Sequence, residues 1–278
     1  AVQKFDLVFC LGDRFEMSAA VQSSIPFGIK LAHIHGGETT LGAIDNIYRH
    51  QITLASQVHF VSTQYYKQKV KNFGVNTKKI HNIGSLSLDN IKNFQPIDKS
   101  IFYNKFKIKD QPFALVTFHP ETVSVHANLT YAKEMKKALA ILSNEINIII
   151  TMPNADTLGS VYRKQLNNLK DECSNSITLI ENFGKINYFN AMYYASILIG
   201  NTSSGIIEAA SFNKNVVNVG ERQKGRTHGA NVFSVEFDSK KIIELTSKLL
   251  LAPTFSDENI YFKKNPSSQI ISILKYEK

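Results

Sequence analysis

Short, continuous apolar runs recur along this chain, and a stretch with helical periodicity follows most of them. Residues 6–11 (DLVFCL), 29–34, 58–62 and 79–83 read as strands, separated by helices over 18–22, 46–55 and 65–72. Strands that are apolar throughout are buried on both faces, and helical crossovers between them make the sheet parallel. A second series begins at a strand over 113–118. It continues through helix 129–142, the β-branched strand 146–152, helix 161–169, strand 177–180, helix 188–194, strand 197–199 and strand 216–219. Helices over 242–251 and 266–276 close the chain, with Pro266 suited to a first helical position. Residues 94–111 break the rhythm with two prolines, scattered charges and no apolar strand, so the domain boundary is placed there. The expected fold class is α/β, two doubly wound Rossmann-like units with a cleft between them. The first unit is expected to be incomplete at its N-terminus. It has four candidate strands, opens almost directly on one that carries polar chemistry, and begins with Ala1 rather than methionine.

The 278 residues suit about two domains, and 43% hydrophobic content supplies ordinary cores. No apolar stretch approaches the roughly 20 residues of a membrane span, and the first residues have no signal-peptide pattern. Two cysteines are too few for a disulfide framework, Cys10 reads as a buried thiol, and a reducing, cytoplasmic location is expected. The net charge of +9 is carried by scattered lysines and by a stretch over 67–79 read as solvated. No aromatic–basic interleaving accompanies it, so nucleic acid is not expected as a partner; an anionic small molecule suits the positive potential.

Polar clusters sit at the carboxyl ends of the strands, where open α/β sheets bind ligands. Asp13 and Arg14 follow the first strand; His33, His35, Gly36, Gly37 and Glu38 end the second. His33 and His35 alternate across the strand, and no cysteine or third histidine at structural-zinc spacing accompanies them, so no metal is expected. His33 reads as a core histidine and Glu38 as a carboxylate facing a cleft, while the two glycines permit a tight turn or a close backbone approach. Asp45 reads either as an N-cap or as a third pocket acid, and Arg49 is spaced to pair with it. In the second half His119 is placed to hydrogen-bond a phosphate, and Asn154 and Asp156 lie in a turn after a strand. Residues 201–205, with Ser203 and Ser204, read as a phosphate cradle or as ordinary serine capping. Glu208 suits ribose hydroxyls, and the loop 220–226, with Arg222 and Arg226, suits a diphosphate.

Together GDRFE, HIHGGE, D-N-x-x-R-H-x-I-T, FHPET, MPNAD, NTSSGIIEA and VGERQKGR resemble the hydrolysing UDP-N-acetylglucosamine 2-epimerases of sialic and legionaminic acid synthesis, over most of the chain. The resemblance implies a GT-B fold with residues 1–95 carrying the catalytic acids and 96–255 binding UDP. Residues 256–278 are expected to pack back toward the first domain. It implies elimination of UDP to a glycal, then hydration with inversion at carbon 2. The substrate would be UDP-GlcNAc or UDP-N,N′-diacetylbacillosamine, and the product free ManNAc or its 2,4-diacetamido-6-deoxy analogue. Asp13 and Asp45 match acid/base carboxylates. Where some relatives have a further catalytic glutamate this chain has His35, leaving His35 or Glu38 for that role. Arg14 matches a phosphate or substrate ligand. His119, Asn154, Ser203, Ser204, Glu208 and Arg226 match positions that hold UDP, and Arg49, Asp156 and Arg222 are grouped with them. The family's opening strand and Gly-Thr-Arg turn have no counterpart in this sequence. The resemblance implies no cofactor, no membrane, and a dimer or tetramer. The alternatives are a non-hydrolysing 2-epimerase, a GT-B glycosyltransferase and a non-catalytic nucleotide-sugar binder.

Overall fold

The computed structural model describes residues 5–89, 91–153 and 159–276. Contacts divide the chain into Ala1–Asn93 with Gly225–Thr227 and Ile260–Lys278, and Phe94–Lys224 with His228–Asn259. The first unit runs β1 (Val8–Leu11), α1 (Phe15–Ser24), β2 (Leu31–Ile34), α2 (Asp45–Ala55), β3 (Val58–Val61), α3 (Gln64–Lys71) and β4 (Ile80–Asn82). Its strands pair in parallel in the order β1-β2-β3-β4. β2 and β3 are buried along their whole length, which explains their unbroken apolar pattern. Ala32, Ile34, Val58 and Phe60 pack in one core cluster, and Cys10, Val21, Leu31 and Ile52 in another. At the sheet edge, β1 leaves Phe9 and Leu11 exposed.

The second unit contains α4 (Lys99–Phe106), β5 (Phe113–Thr117), α5 (Asn128–Leu142), β6 (Asn147–Thr151), α6 (Gly159–Glu172) and β7 (Ile177–Ile180). It continues with α7 (Gly184–Tyr194), β8 (Ile197–Gly200), α8 (Ser203–Ile207), β9 (Val216–Val219), β10 (Val232–Val235) and α9 (Ser239–Leu250). The parallel sheet has the order β10-β9-β8-β5-β6-β7, so the winding reverses between β5 and β8. Ala114, Val116, Ile148 and Ile150 join Met135, Leu139, Tyr162, Leu166, Ile242 and Leu249 in its core. Each valine, leucine, isoleucine or methionine among them contributes roughly 1.5–3 kcal/mol on leaving water. α10 (Pro266–Lys275) then returns to the first unit, where Ile270 joins the cluster of Ala32 and Phe60.

Two elements depart from the sequence reading. The stretch 94–111 holds α4, capped by Asp98, which accepts from the amides of Ser100 and Ile101 at 2.9 and 3.2 Å. Phe102 on α4 is buried among Phe106, Phe183 and Tyr194, so its aromatic residues are core. β10 was not expected. It is an edge strand with Phe233 and Ser234 exposed, and a half-solvated strand lacks a continuous apolar run. No helix among the described residues is long and apolar enough to cross a membrane.

Two histidines lie inside the first sheet. His33 and His59, on neighbouring strands and in register, are fully buried. Burial lowers the imidazole of His33 to about 3. Burial, then the charge of His81, lowers that of His59 to about 4. Both are neutral in the fold, while the unfolded chain takes up their protons below about 6.5. Stability is therefore complete above pH 6.5 and falls as the pH drops toward 4. At about 1.4 kcal/mol per pH unit, His59 alone accounts for a loss on the order of 3 kcal/mol by pH 4. Urea unfolding at pH 7, 6, 5 and 4 is expected to show this slope, and His59→Phe to reduce it by about half, leaving the contribution of His33.

Candidate active site

In the first unit the chemistry gathers after β1 and β2. Gly12, in the left-handed region, ends β1 and turns the chain so that Asp13 meets Arg49 of α2 in an ion pair. Arg49 is 2% exposed, deep for a guanidinium. The histidine His33 holds these elements together. Its Nε2 donates to the Gly12 carbonyl at 2.8 Å, and its Nδ1 lies 3.0 Å from Thr53 Oγ1 on α2. A Cβ on Gly36 would come within 2.9 Å of the His33 ring, and one on Gly37 (φ 79°) within 2.9 Å of the Tyr66 carbonyl. Close approach thus decides the Gly-Gly pair.

Glu38 is 1% exposed and fully engaged. Its Oε1 accepts from Ser62 Oγ and from His35 Nδ1, each at 2.7 Å, and its Oε2 from Arg226 Nη2 at 2.8 Å. Burial alone would raise this carboxyl. The charges of Arg226, His35 and Arg49, with the His35 hydrogen bond, outweigh burial and hold it well below the usual carboxylate range. A shell of tyrosines surrounds the pair. Tyr66 OH accepts from the Thr227 amide at 2.9 Å, and Tyr261 OH donates to the Thr227 carbonyl at 2.7 Å. Burial, then the charge of Glu38, pushes the Tyr66 phenol up to about 12. Tyr261 is raised as well, chiefly by burial.

Two guanidinium nitrogens on each of Arg49 and Arg226 (Nε and Nη1) are buried and find no hydrogen-bond partner among the described residues, nor does Thr40 Oγ1. A buried donor left unpaired costs about 1–3 kcal/mol, more when charged. Such donors mark a place for ligand oxygens. Lys69 of α3 donates to Thr39 Oγ1, and its ammonium is lowered by burial and by Arg49. His50 lies against Phe73 with the rings tilted and their centroids 4.9 Å apart, and its imidazole is lowered by burial, Arg49 and Lys69.

In the second unit the reversal between β5 and β8 sets the site. Gly200 (φ 147°) ends β8 so near β5 that a Cβ would lie 1.9 Å from the Thr117 carbonyl oxygen. The next residue, Asn201, is fully buried and clamps the two strand ends. Its Oδ1 accepts from the His119 amide at 2.7 Å and its Nδ2 donates to the His119 carbonyl at 2.8 Å. The Asn201 carbonyl in turn accepts from Gln223 Nε2 at 2.9 Å and Arg222 Nη1 at 3.4 Å. Glu121 anchors the same loop by accepting from the Glu221 amide at 2.7 Å. Beside these strand ends lies a cleft of about 460 Å³, lined by Thr117, His119, Thr151, Phe183, Tyr188 and Ser203 among others. Thr202 caps α8, and hydroxyls of Thr202, Ser204 and Tyr188 form a chain with links of 2.7 and 2.9 Å.

A sequence model of UDP-N-acetylglucosamine 2-epimerase matches residues 1–275. The chain belongs to the UDP-N-acetylglucosamine 2-epimerase family. It is 37% identical over 236 residues to a GDP/UDP-N,N′-diacetylbacillosamine 2-epimerase (hydrolyzing) of Campylobacter jejuni, covering 84% of this chain and 61% of that protein. It therefore spans about three fifths of that relative's length. It is 32% identical over 272 residues to a UDP-N,N′-diacetylbacillosamine 2-epimerase (hydrolyzing) of Legionella pneumophila, covering 97% of this chain and 71% of that one. Among solved structures, the UDP-GlcNAc 2-epimerase of Neisseria meningitidis bound to UDP-GlcNAc superposes with a TM-score of 0.81 at 20% identity, covering 98% of this chain and 76% of that one. The two-domain Rossmann-like fold of the UDP-N-acetylglucosamine 2-epimerases is thus the fold of this chain.

Of the residues expected at an epimerase site, Asp13, His35, Glu38, Arg49 and Arg226 gather within the first unit. Asp45 is the first residue of α2, and Ile44 occupies the cap position, so the N-cap reading does not hold. Arg49 pairs with Asp13 at the end of β1, a partner that spacing along its own helix does not point to. Arg14 pairs with Glu16 at 3.1 Å on the surface. His119, Ser203 and Ser204 line the cleft of the second unit, Glu208 is buried after α8, and Arg222 lies on the Asn201 carbonyl. Thr202, not a serine, supplies the α8 cap. Asn154 and Asp156 lie outside the described residues. Sequence reasoning missed Ser62, Tyr66, Lys69, Tyr188 and Tyr261. Ser62 follows β3 and obeys the strand-end rule. Lys69 was hidden in a stretch read as solvated, and no local pattern marks Tyr261. Removing the charge of Arg226 strands a buried carboxylate, so Arg226→Met is expected to cost about 3–5 kcal/mol in urea unfolding at pH 7.

Proposed function

We propose that this chain carries the chemistry of a hydrolysing 2-epimerase acting on a UDP-2-acetamido sugar. UDP-N,N′-diacetylbacillosamine is the first substrate to test and UDP-GlcNAc the second. The two carboxylate–arginine pairs at the ends of β1 and β2, with guanidinium donors still open, carry the reading. The names of the Campylobacter and Legionella relatives support the choice of sugar. In the reaction, a base takes the proton on carbon 2. The freed electron pair forms the carbon 1–carbon 2 double bond as the bond from carbon 1 to the UDP oxygen breaks. Water then adds, with hydroxyl to carbon 1 and a proton to carbon 2 from the opposite face.

Asp13 and Asp45 are assigned to these proton transfers, for which a positioned group contributes about 10²–10⁴-fold. The departing UDP gathers negative charge that needs donors and cations. His119, Ser203, Ser204, Glu208 and Arg222 of the second unit are assigned to it, with Arg14, Asn154 and Asp156 carried over by motif. The open donors of Arg49 and Arg226 take substrate oxygens. The chain is further proposed to act in the cytoplasm as a homo-oligomer, which sedimentation velocity reads.

The test is an NMR assay in heavy water with each UDP-sugar and no acceptor. Release of UDP together with a free 2-epimer carrying deuterium at carbon 2 is expected. A product still attached to UDP identifies a non-hydrolysing epimerase, and binding without exchange a mere nucleotide-sugar binder. Asp13→Asn is expected to lower kcat at least 100-fold while UDP affinity, by calorimetry, stays within about threefold.

A further inference from the structure

We propose that His35 is the proton-carrying member of the His35–Glu38 pair and that Glu38 is a positioning residue that stays ionised throughout. The chemistry served by that proton rests on the reaction proposed above; the assignment of the proton to one nitrogen rests on geometry alone.

The Glu38 carboxylate meets two donors and a ring nitrogen able to donate. Ser62 Oγ–H and His35 Nδ1 reach Oε1, and Arg226 Nη2–H reaches Oε2. An ionised carboxylate only accepts, so Nδ1 must hold a hydrogen. Neutral His35 then has its lone pair on Nε2. Glu38, buried at 1% exposure behind the guanidinium of Arg226 and the hydroxyl of Ser62, has no open path to a proton from solvent. The imidazole is the partner that retains access, with its side chain 15% exposed against 2% for Glu38. This is the arrangement in which a carboxylate fixes an imidazole's tautomer and steadies its charged form.

The backbone supports the assignment. His35 lies at φ 67°, in the left-handed region, immediately after β2, and its amide donates to the Phe60 carbonyl at 2.9 Å. A β-carbon is unfavourable there, and a glycine would hold the same turn at less cost. The side chain is the reason to retain histidine at such a position. In the transfer, Nε2 takes through its lone pair the proton that water loses as its hydroxyl joins carbon 1 of the glycal, giving imidazolium, while Asp13 and Asp45 serve carbon 2. The same nitrogen then releases that proton to solvent, so the pair ends each cycle as neutral histidine and carboxylate. Arg226 thereby serves the pair through Glu38, whatever else its open donors hold.

Long-range ¹H–¹⁵N spectra of histidine-labelled protein read the tautomer directly. The expected result is His35 protonated at Nδ1 and bare at Nε2 in the neutral form, with Glu38→Gln abolishing that preference. Glu38→Gln is also expected to lower kcat about 100-fold, and His35→Gln about 1,000-fold, both with KM within about threefold. A wild-type His35 protonated at Nε2 overturns the proposal, as does wild-type kcat in either variant. Absence of turnover of either UDP-sugar by the wild-type chain removes the reaction instead, and the wild-type spectrum still decides the tautomer without reliance on any variant's folding.

Discussion

The ion pair between Glu38 and Arg226 is the interaction around which the first unit is arranged. Two opposite charges buried together carry a desolvation cost of several kcal/mol each, offset only by good geometry and by further hydrogen bonds. The structure supplies those bonds. Ser62 and His35 complete the carboxylate, while Tyr66 and Tyr261 hold the backbone of Thr227, the residue after Arg226. The pair therefore fixes more than itself. It ties a three-residue segment from a distant part of the sequence to the strand ends of the first sheet.

The second unit solves a different problem with neutral groups. Its two central strands approach so closely that only glycine fits at position 200, and Asn201 then bridges their ends through both faces of its amide. Those two hydrogen bonds are worth about 1 kcal/mol each. Their larger effect is to place the His119 backbone and the loop around Arg222 in one register. The hydroxyl chain from Thr202 to Tyr188 extends that order to the cleft wall.

Much of this was legible in the amino-acid sequence, for a definite physical reason. Strands such as β6, NIIIT, are buried on both faces and so carry an unbroken apolar pattern that no other element mimics at that length. Strand-end chemistry is equally local: Asp13, Glu38, His119 and Asn201 sit one to four residues after their strands. What the sequence hid was pairing. Spacing along α2 pointed Arg49 to Asp45, whereas its pairing with Asp13, 36 residues away in sequence, arises from tertiary contact. Tyr261 stands 195 positions from Tyr66, and its role arises wholly from tertiary contact. β10 was missed because half-exposed edge strands have weak patterns. Thr202 was passed over because two adjacent serines carried the same capping chemistry.

The first unit is discontinuous: its strand ends come early in the chain, while Arg226 and α10 come late. During synthesis on a ribosome, its sheet can form while the carboxylate of Glu38 still lacks its counter-charge. That charge arrives only after every strand of the second sheet but β10 has been translated. The acidic centre consequently matures late, and a nascent chain arrested before residue 226 holds that carboxylate without its counter-charge.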